Sequence, residues 1–306
     1  MSGRGFEGTV LGTLVMPYCS GMGNLILAFI YGINGFGGAD IANNNLVNNV
    51  TDMTLVLGLP AIFLGIKVLP SKAKGDGKNS PKKKSTNAVA GKTHELNRLS
   101  LLLTLTAVLF FTGAVWALGR KGSLNFNDGL VLVGLFLFWQ CFHVFEVMKS
   151  NVRQGRSMIG WMLPLDLSLL AVGAYAIYVS TDWLVNWVHN YVHQGFVKDH
   201  FGWVSGWITV LPNAVLAIYY AWRKQPETVY ASQVGDCHVS IPLCLGIYAL
   251  YQPLTLPPFF QMGMMILVGA TLLHFLFVAI FGQLPKFAGW ILVAAYGFFL
   301  WKGLLG

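Results

Sequence analysis

Two aspartates stand inside apolar runs, Asp52 in VTDMTLVLGL and Asp236 in VGDCHVSIPLCLGI. An ionisable group at the centre of a membrane helix costs roughly 2.5–3.5 kcal/mol on insertion scales. Each aspartate is therefore a candidate for function. Polar neighbours crowd the first: Asn48 and Asn49 precede Asp52 in NNNLVNNVTD. Ser240 follows the second by four residues, and His238 by two. Carboxylate, amide, hydroxyl and carbonyl oxygens together form a hard site, suited to sodium, calcium or magnesium. One aspartate could instead titrate and carry a proton, with His238 as a relay. The competing reading is structural: buried Asp and Asn groups also tie helices together by hydrogen bonds.

The composition says what positions these residues. Hydrophobic residues make up 55% of the 306 and charged residues only 10%, against about 25% charged in soluble domains. Mean hydropathy is +0.59. Apolar runs of membrane length recur at 9–33, 43–66, 99–118, 127–149, 159–182, 201–222, 229–251, 258–281 and 286–304. The expected fold is an all-α membrane protein of about nine transmembrane helices. No long soluble domain fits beside them. The four cysteines form no CxxC pair, and neither HExxH nor GxSxG occurs, so neither a zinc site nor a familiar hydrolase follows. No cofactor is expected, and no enzyme activity.

The net charge of +8 sits mainly in one place. Eight lysines and Arg98 lie between residues 67 and 98, in a stretch rich in Gly, Ser, Pro and Asn. We expect a flexible basic loop facing the cytoplasm and anionic lipid, not a nucleic-acid site. Lys149, Arg153, Arg156, Arg223, Lys224 and Lys286 fall on the same side of the bilayer, which puts the N-terminus in the cytoplasm and the chain in the cell membrane. After Asp182 the fifth run continues as WLVNWVHNYVHQGF. This is either an aromatic belt at the interface or the end of one long helix. His189 and His193 have a metal-binding spacing but no evident further ligand, and read as an interfacial helix end.

The chain also repeats itself. GNLILAFIY at 23–31 matches PNAVLAIYY at 212–220, pairing Asn24 with Asn213, Leu27 with Leu216, Ala28 with Ala217 and Tyr31 with Tyr220. A polar cluster follows each, and Gly58 and Gly246 close the two copies. The copies cross in opposite directions, an inverted repeat of the kind secondary transporters use around a midplane site. The halves are expected at 1–156 and 157–306. Helix breaks are expected at Pro17, Gly21 and Gly23, and at Gly202, Gly206 and Pro212, where carbonyls and helix ends could meet an ion. Asn24, Asn213, Thr209 and Ser20 join Asp52, Asp236, Asn48, Asn49 and Ser240 as candidate ligands of a transported ion.

At these residues the sequence resembles the sodium/calcium exchanger superfamily. VLPNAVLA is similar to that family's GTS-x-PE core, VGDCHVS to its VGSN-x-x-N, and TLVLGL to its closing LLVLGL. ADIANNN in the first half resembles PDIALGN. The resemblance implies alternating-access exchange of calcium or sodium, coupled to sodium or protons. Two departures stand out. The family's paired glutamates are asparagines here, Asn24 and Asn213. The family's first helix has no counterpart, so the fifth run would be its long sliding helix, and a partner helix or second copy could stand in for the missing one. A sensor or assembly subunit on a degenerate exchanger fold is the alternative function.

Overall fold

The computed structural model describes residues 16–64, 66–67, 81–153, 163–192, 194–223 and 225–305. It is built almost wholly of helices. These are α1 (Met16–Asn34), α2 (Gly38–Thr51), α3 (Leu57–Leu64), α4 (Pro81–Leu118), α5 (Phe126–Arg153), α6 (Leu163–Tyr191), the short α7 (Phe196–Asp199), α8 (Phe201–Trp222), α9 (Pro226–Tyr251), α10 (Phe260–Phe281) and α11 (Lys286–Leu300). A π-helical turn, Asp52–Val56, joins α2 to α3 without breaking the rod. Seven of these rods carry an apolar stretch long enough to cross a bilayer, and α1 and α5 complete the nine expected from the sequence.

The two halves are related by exchange. α1 packs on α9 and α8 on α2, so the first helix of each half lies against the second of the other. Two-residue strands repeat the rule. Ile66–Lys67 (β1) pairs with Gln283–Leu284 (β4), and Ser123–Leu124 (β2) pairs with Leu254–Thr255 (β3). Swapping the halves turns one ribbon into the other. Glycine crossings obey it too. A Cβ on Gly289 would come 2.8 Å from the Gly58 carbonyl, and one on Gly129 would come 2.9 Å from the Gly246 carbonyl. Small residues at such contacts let backbones approach closely enough to pack without a hydrophobic driving force.

The chain breaks its helices elsewhere than the sequence suggested. α1 and α8 run unbroken through Gly21, Gly23, Gly202, Gly206 and Pro212, and Pro17 too is helical. The glycines serve approach instead: a Cβ at Gly206 would lie 2.8 Å from the Cβ of Val47, and one at Gly202 2.5 Å from the Asp40 carbonyl. The deformation falls on the π turn at Asp52. There the Thr54 hydroxyl donates to the Val50 carbonyl, the acceptor a regular helix would reserve for the Thr54 amide. Such back-bonding bends helices and admits an extra residue.

Two further boundaries differ. α4 begins at Pro81, so residues 81–98 of the stretch expected to be a flexible loop are helical. Ala, Leu, Lys and Glu along it suit this extension of the membrane rod. The tail WLVNWVHNY belongs to α6, a single helix of 29 residues, which resolves the two sequence readings in favour of a long helix. α6 is a peripheral rod: Val185 and Val188 are its buried apolar residues, and residues 168–173 are exposed. Substituting Gly206 by Leu should push α8 off α2 and lower stability by about 2 kcal/mol, the usual cost of overpacking, read as an earlier thermal unfolding in detergent.

Candidate functional site

Four helices and the π turn meet at a buried polar centre. Asp52 and Asp236 are both completely buried, one from each half. Their carboxyl groups lie within hydrogen-bonding reach of each other. Neutral donors surround them. The Ser20 hydroxyl donates to Asp236 Oδ1 at 3.0 Å, and the Asn48 amide to Asp236 Oδ2 at 3.0 Å. The Asn213 amide donates to Asp52 Oδ2 at 2.9 Å and also reaches Asp236. Asp52 Oδ1 meets no donor among the described residues. Each helix thus contributes through the residue that its crossing brings inward: Ser20 from α1, Asn48 from α2, Asn213 from α8 and Asp236 from α9.

Asn24 lies one helical turn beyond Ser20 on the same face of α1. It is 1% exposed, yet neither its carbonyl oxygen nor its amide has a partner among the described residues. A buried amide with nothing to bond costs about 1–3 kcal/mol. Its counterpart Asn213 has no such problem, because Asp52 occupies it. Asn24 Oδ1 and Asp52 Oδ1 thus have no donor among the described residues, while Asp52 Oδ2 and both oxygens of Asp236 are bonded. Thr209 gives its hydrogen to the Ser205 carbonyl at 3.0 Å and stands 3.4 Å from Asn48 Oδ1, at the edge of the network.

The other expected ligands lie apart. Ser240 donates to Asn49 Oδ1 at 2.7 Å, Asn49 donates to the Asn45 carbonyl at 2.7 Å, and Asn45 donates to the Ser240 carbonyl at 2.8 Å. This closed set ties α2 to α9. His238 is fully buried, with Nδ1 donating to the Gly235 carbonyl at 2.6 Å and its ring facing Phe136 of α5. Two residues beyond Asp236 on a helix, it points some 200° away from the carboxylate. His189 stacks on Phe36 with ring centroids 4.0 Å apart, and His193 lies outside the described residues. No cluster of three or more His, Cys, Asp or Glu side chains converges among the described residues, so the centre is one of hard oxygens.

Three supports were not given this role from the sequence, which takes His274 for a helix-packing contact and Gly21 for a helix break. His274 of α10 donates from Nε2 to the Met53 carbonyl at 2.8 Å, pinning the π turn that presents Asp52. Gln233 donates to the Asn213 carbonyl at 3.2 Å and braces α8 just past Pro212. Gly21 admits the carboxylate itself, since a Cβ there would stand 2.9 Å from Asp236 Oδ1. A histidine in an apolar helix is a visible signal of such a bond. The glycine carries no signal, because its value lies in what another helix brings near.

Inverted halves and membrane-length rods around a buried polar centre are the architecture of an integral membrane transporter. The model of the sodium/calcium exchanger protein family matches residues 2–145 and 165–302, and the chain belongs to that family. A search of curated proteins returned no match. Solved structures of the sodium-calcium exchanger NCX_Mj share the fold. The form soaked with 2.5 mM Na+ and 10 mM Sr2+ aligns at TM-score 0.66 and 18% identity, covering 100% of this chain and 90% of the other. The form in 10 mM Na+ and 10 mM Sr2+ gives 0.65 and 19%, over 100% and 89%. The form free of Na+ and Ca2+ gives 0.63 and 18%, over 100% and 89%.

Two substitutions test the geometry. Gly21→Ala should lower stability by about 1–3 kcal/mol, because its Cβ would crowd the Asp236 carboxylate. Gly23→Ala, whose Cβ would meet Thr209 Cγ2 at 3.7 Å, should unfold as wild type, with scanning calorimetry on the purified protein comparing the two. His274→Phe strips the Met53 carbonyl of its donor. Amide exchange across residues 52–57 should then accelerate, while His274→Gln restores part of the protection in hydrogen–deuterium exchange.

Proposed function

We propose that this protein is a secondary active transporter that moves Ca2+ by alternating access in exchange for two monovalent cations, Na+ or H+. The observation that carries the reading is the contact between Asp52 and Asp236, two fully buried carboxylates from opposite halves. Two negative charges removed from water cost several kcal/mol each unless positive charge accompanies them. One divalent ion balances the pair, and so do two monovalent ones, which sets the exchange ratio by charge alone. The hard oxygens of Asp52, Asp236, Asn24, Asn48 and Ser20 suit calcium, which accepts flexible coordination by six to eight oxygens. Magnesium holds its water and demands an octahedron at about 2.0–2.1 Å, a poor match to amides spread over four helices.

Asn24 and Asn213 stand where the family pattern has glutamates. Each can still supply a carbonyl oxygen, but no charge. The two aspartates keep the site acidic, with the charge of both glutamates moved one helix onward, to the π turn and α9. Binding at the interface of the two halves supports alternating access, because each half contributes one carboxylate and a relative shift would open the pair to one side. The sensor alternative would need no buried charge kept at both positions.

The test is flux in proteoliposomes. Calcium should enter down an opposing Na+ gradient or pH gradient, and a potassium–valinomycin potential should leave the rate unchanged, since the exchange is electroneutral. Asp52→Asn and Asp236→Asn should each abolish it. No uptake under any gradient, with both variants indistinguishable from wild type, would sink the transporter reading. Potential-driven uptake would overturn the ratio alone.

A further inference from the structure

Tyr230, Gln233 and His274 lie outside the stretches that resemble the exchanger pattern, and none is more than 1% exposed. Each carries one polar atom with no hydrogen-bond partner among the described residues: Tyr230 Oη, Gln233 Oε1 and His274 Nδ1. The three side chains belong to one closed circuit of contacts. Tyr230 and His274 stand edge-on, with ring centroids 5.2 Å apart. His274 reaches the Met53 carbonyl, next to Asp52. Asp52 takes the Asn213 amide, and the Asn213 carbonyl takes the Gln233 amide. Gln233 and Tyr230 lie one helical turn apart on α9, which completes the circuit.

The bonds already made fix what each remaining atom can do. A carbonyl only accepts, so His274 Nε2 carries the ring proton and Nδ1 is left as an acceptor. The Gln233 amide nitrogen serves the Asn213 carbonyl at 3.2 Å and Ser232 Oγ at 3.3 Å. Ser232 Oγ has given its own hydrogen to the Val229 carbonyl at 2.9 Å, so it can only accept. The Gln233 atom left over is therefore its oxygen. Two acceptors and one hydroxyl remain on the circuit. Polar atoms without partners are costly in a membrane interior, where no bulk water reaches them.

We propose that Tyr230, Gln233 and His274 bind an internal water molecule that locks the π turn. Water is the complement they need: two hydrogens for Gln233 Oε1 and His274 Nδ1, and a lone pair for the Tyr230 hydroxyl. Three such bonds are the usual number for a buried water. A hard ion such as sodium fits less well, because it prefers oxygen and would leave the imidazole nitrogen unserved. The consequence reaches the acidic centre. The bond made by one imidazole nitrogen sets which of the two carries the proton. Water on Nδ1 keeps that proton on Nε2, where it holds the Met53 carbonyl and with it the turn that presents Asp52. Tyr230 and Gln233 are thus positioning residues, acting on Asp52 through water, His274 and Met53.

Solid-state NMR of the protein in lipid, with isotope-labelled histidine, tests this without reference to the cargo. His274 is assigned by the signal that His274→Gln removes. In the wild type, Nδ1 should show the shift of a hydrogen-bonded acceptor and a cross-peak to water. Tyr230→Phe, which removes only the hydroxyl, should at least halve that cross-peak and speed amide exchange across residues 52–57 several-fold. Tyr31→Phe, at another buried tyrosine whose hydroxyl has no hydrogen-bond partner among the described residues, should change neither. A wild-type His274 with no water cross-peak, or with its proton on Nδ1, overturns the proposal. So does an undiminished cross-peak in Tyr230→Phe, or a wild-type signal that appears only when Na+ is present.

Discussion

Two carboxylates buried side by side are the condition the rest of the molecule has to meet. Neither Asp52 nor Asp236 reaches water, and the groups that stabilise them are neutral: a hydroxyl from Ser20 and amides from Asn48 and Asn213. Neutral donors orient the oxygens without cancelling their charge. The centre therefore stays attractive to a cation, which a lysine or arginine in the same place would prevent. Low dielectric strengthens every such contact and makes an unpaired group equally costly.

Close helix crossings make that centre possible. Gly202 and Gly206 bring α8 onto α2, and Gly21 lets Asp236 approach α1. Only with those distances do Asn213 and Ser20 reach carboxylates on other helices. The exchange symmetry supplies the matching pairs, Gly58 with Gly289 and Gly129 with Gly246. Yet the symmetry stops at the site. The first half bends at a π turn, held by Thr54 from within and His274 from outside, while α9 runs on through Asp236. Asn213 is bonded and Asn24 is not.

The periphery follows different physics. α6 touches the core near Val185 and Val188 and leaves most of its surface to lipid or to another helix. A rod so lightly attached can shift at small cost, whereas α2 and α9 are locked by the closed set of Asn45, Asn49 and Ser240.

Much of this was legible from the chain alone. Hydropathy fixed the nine rods, because a bilayer accepts only segments long and apolar enough to bond their own backbone. The cost of burying charge singled out Asp52 and Asp236, and the repeat paired Asn24 with Asn213. What the sequence misread were effects of contact between distant segments. It took Gly21, Gly202 and Gly206 for helix breakers, since a glycine's lost side chain reads as weakness until another helix is seen against it. It grouped Asn49 and Ser240 with the carboxylates, although a difference of one residue turns a helix by about 100° and sends Asn48 to Asp236 but Asn49 to Ser240. It could not foresee the π turn, which depends on a histidine more than two hundred residues away reaching the Met53 carbonyl. Sequence determined which groups are buried in the membrane and at what cost; the tertiary structure decided which of them meet, because helix rotation and crossing distance are set by partners that no local pattern contains.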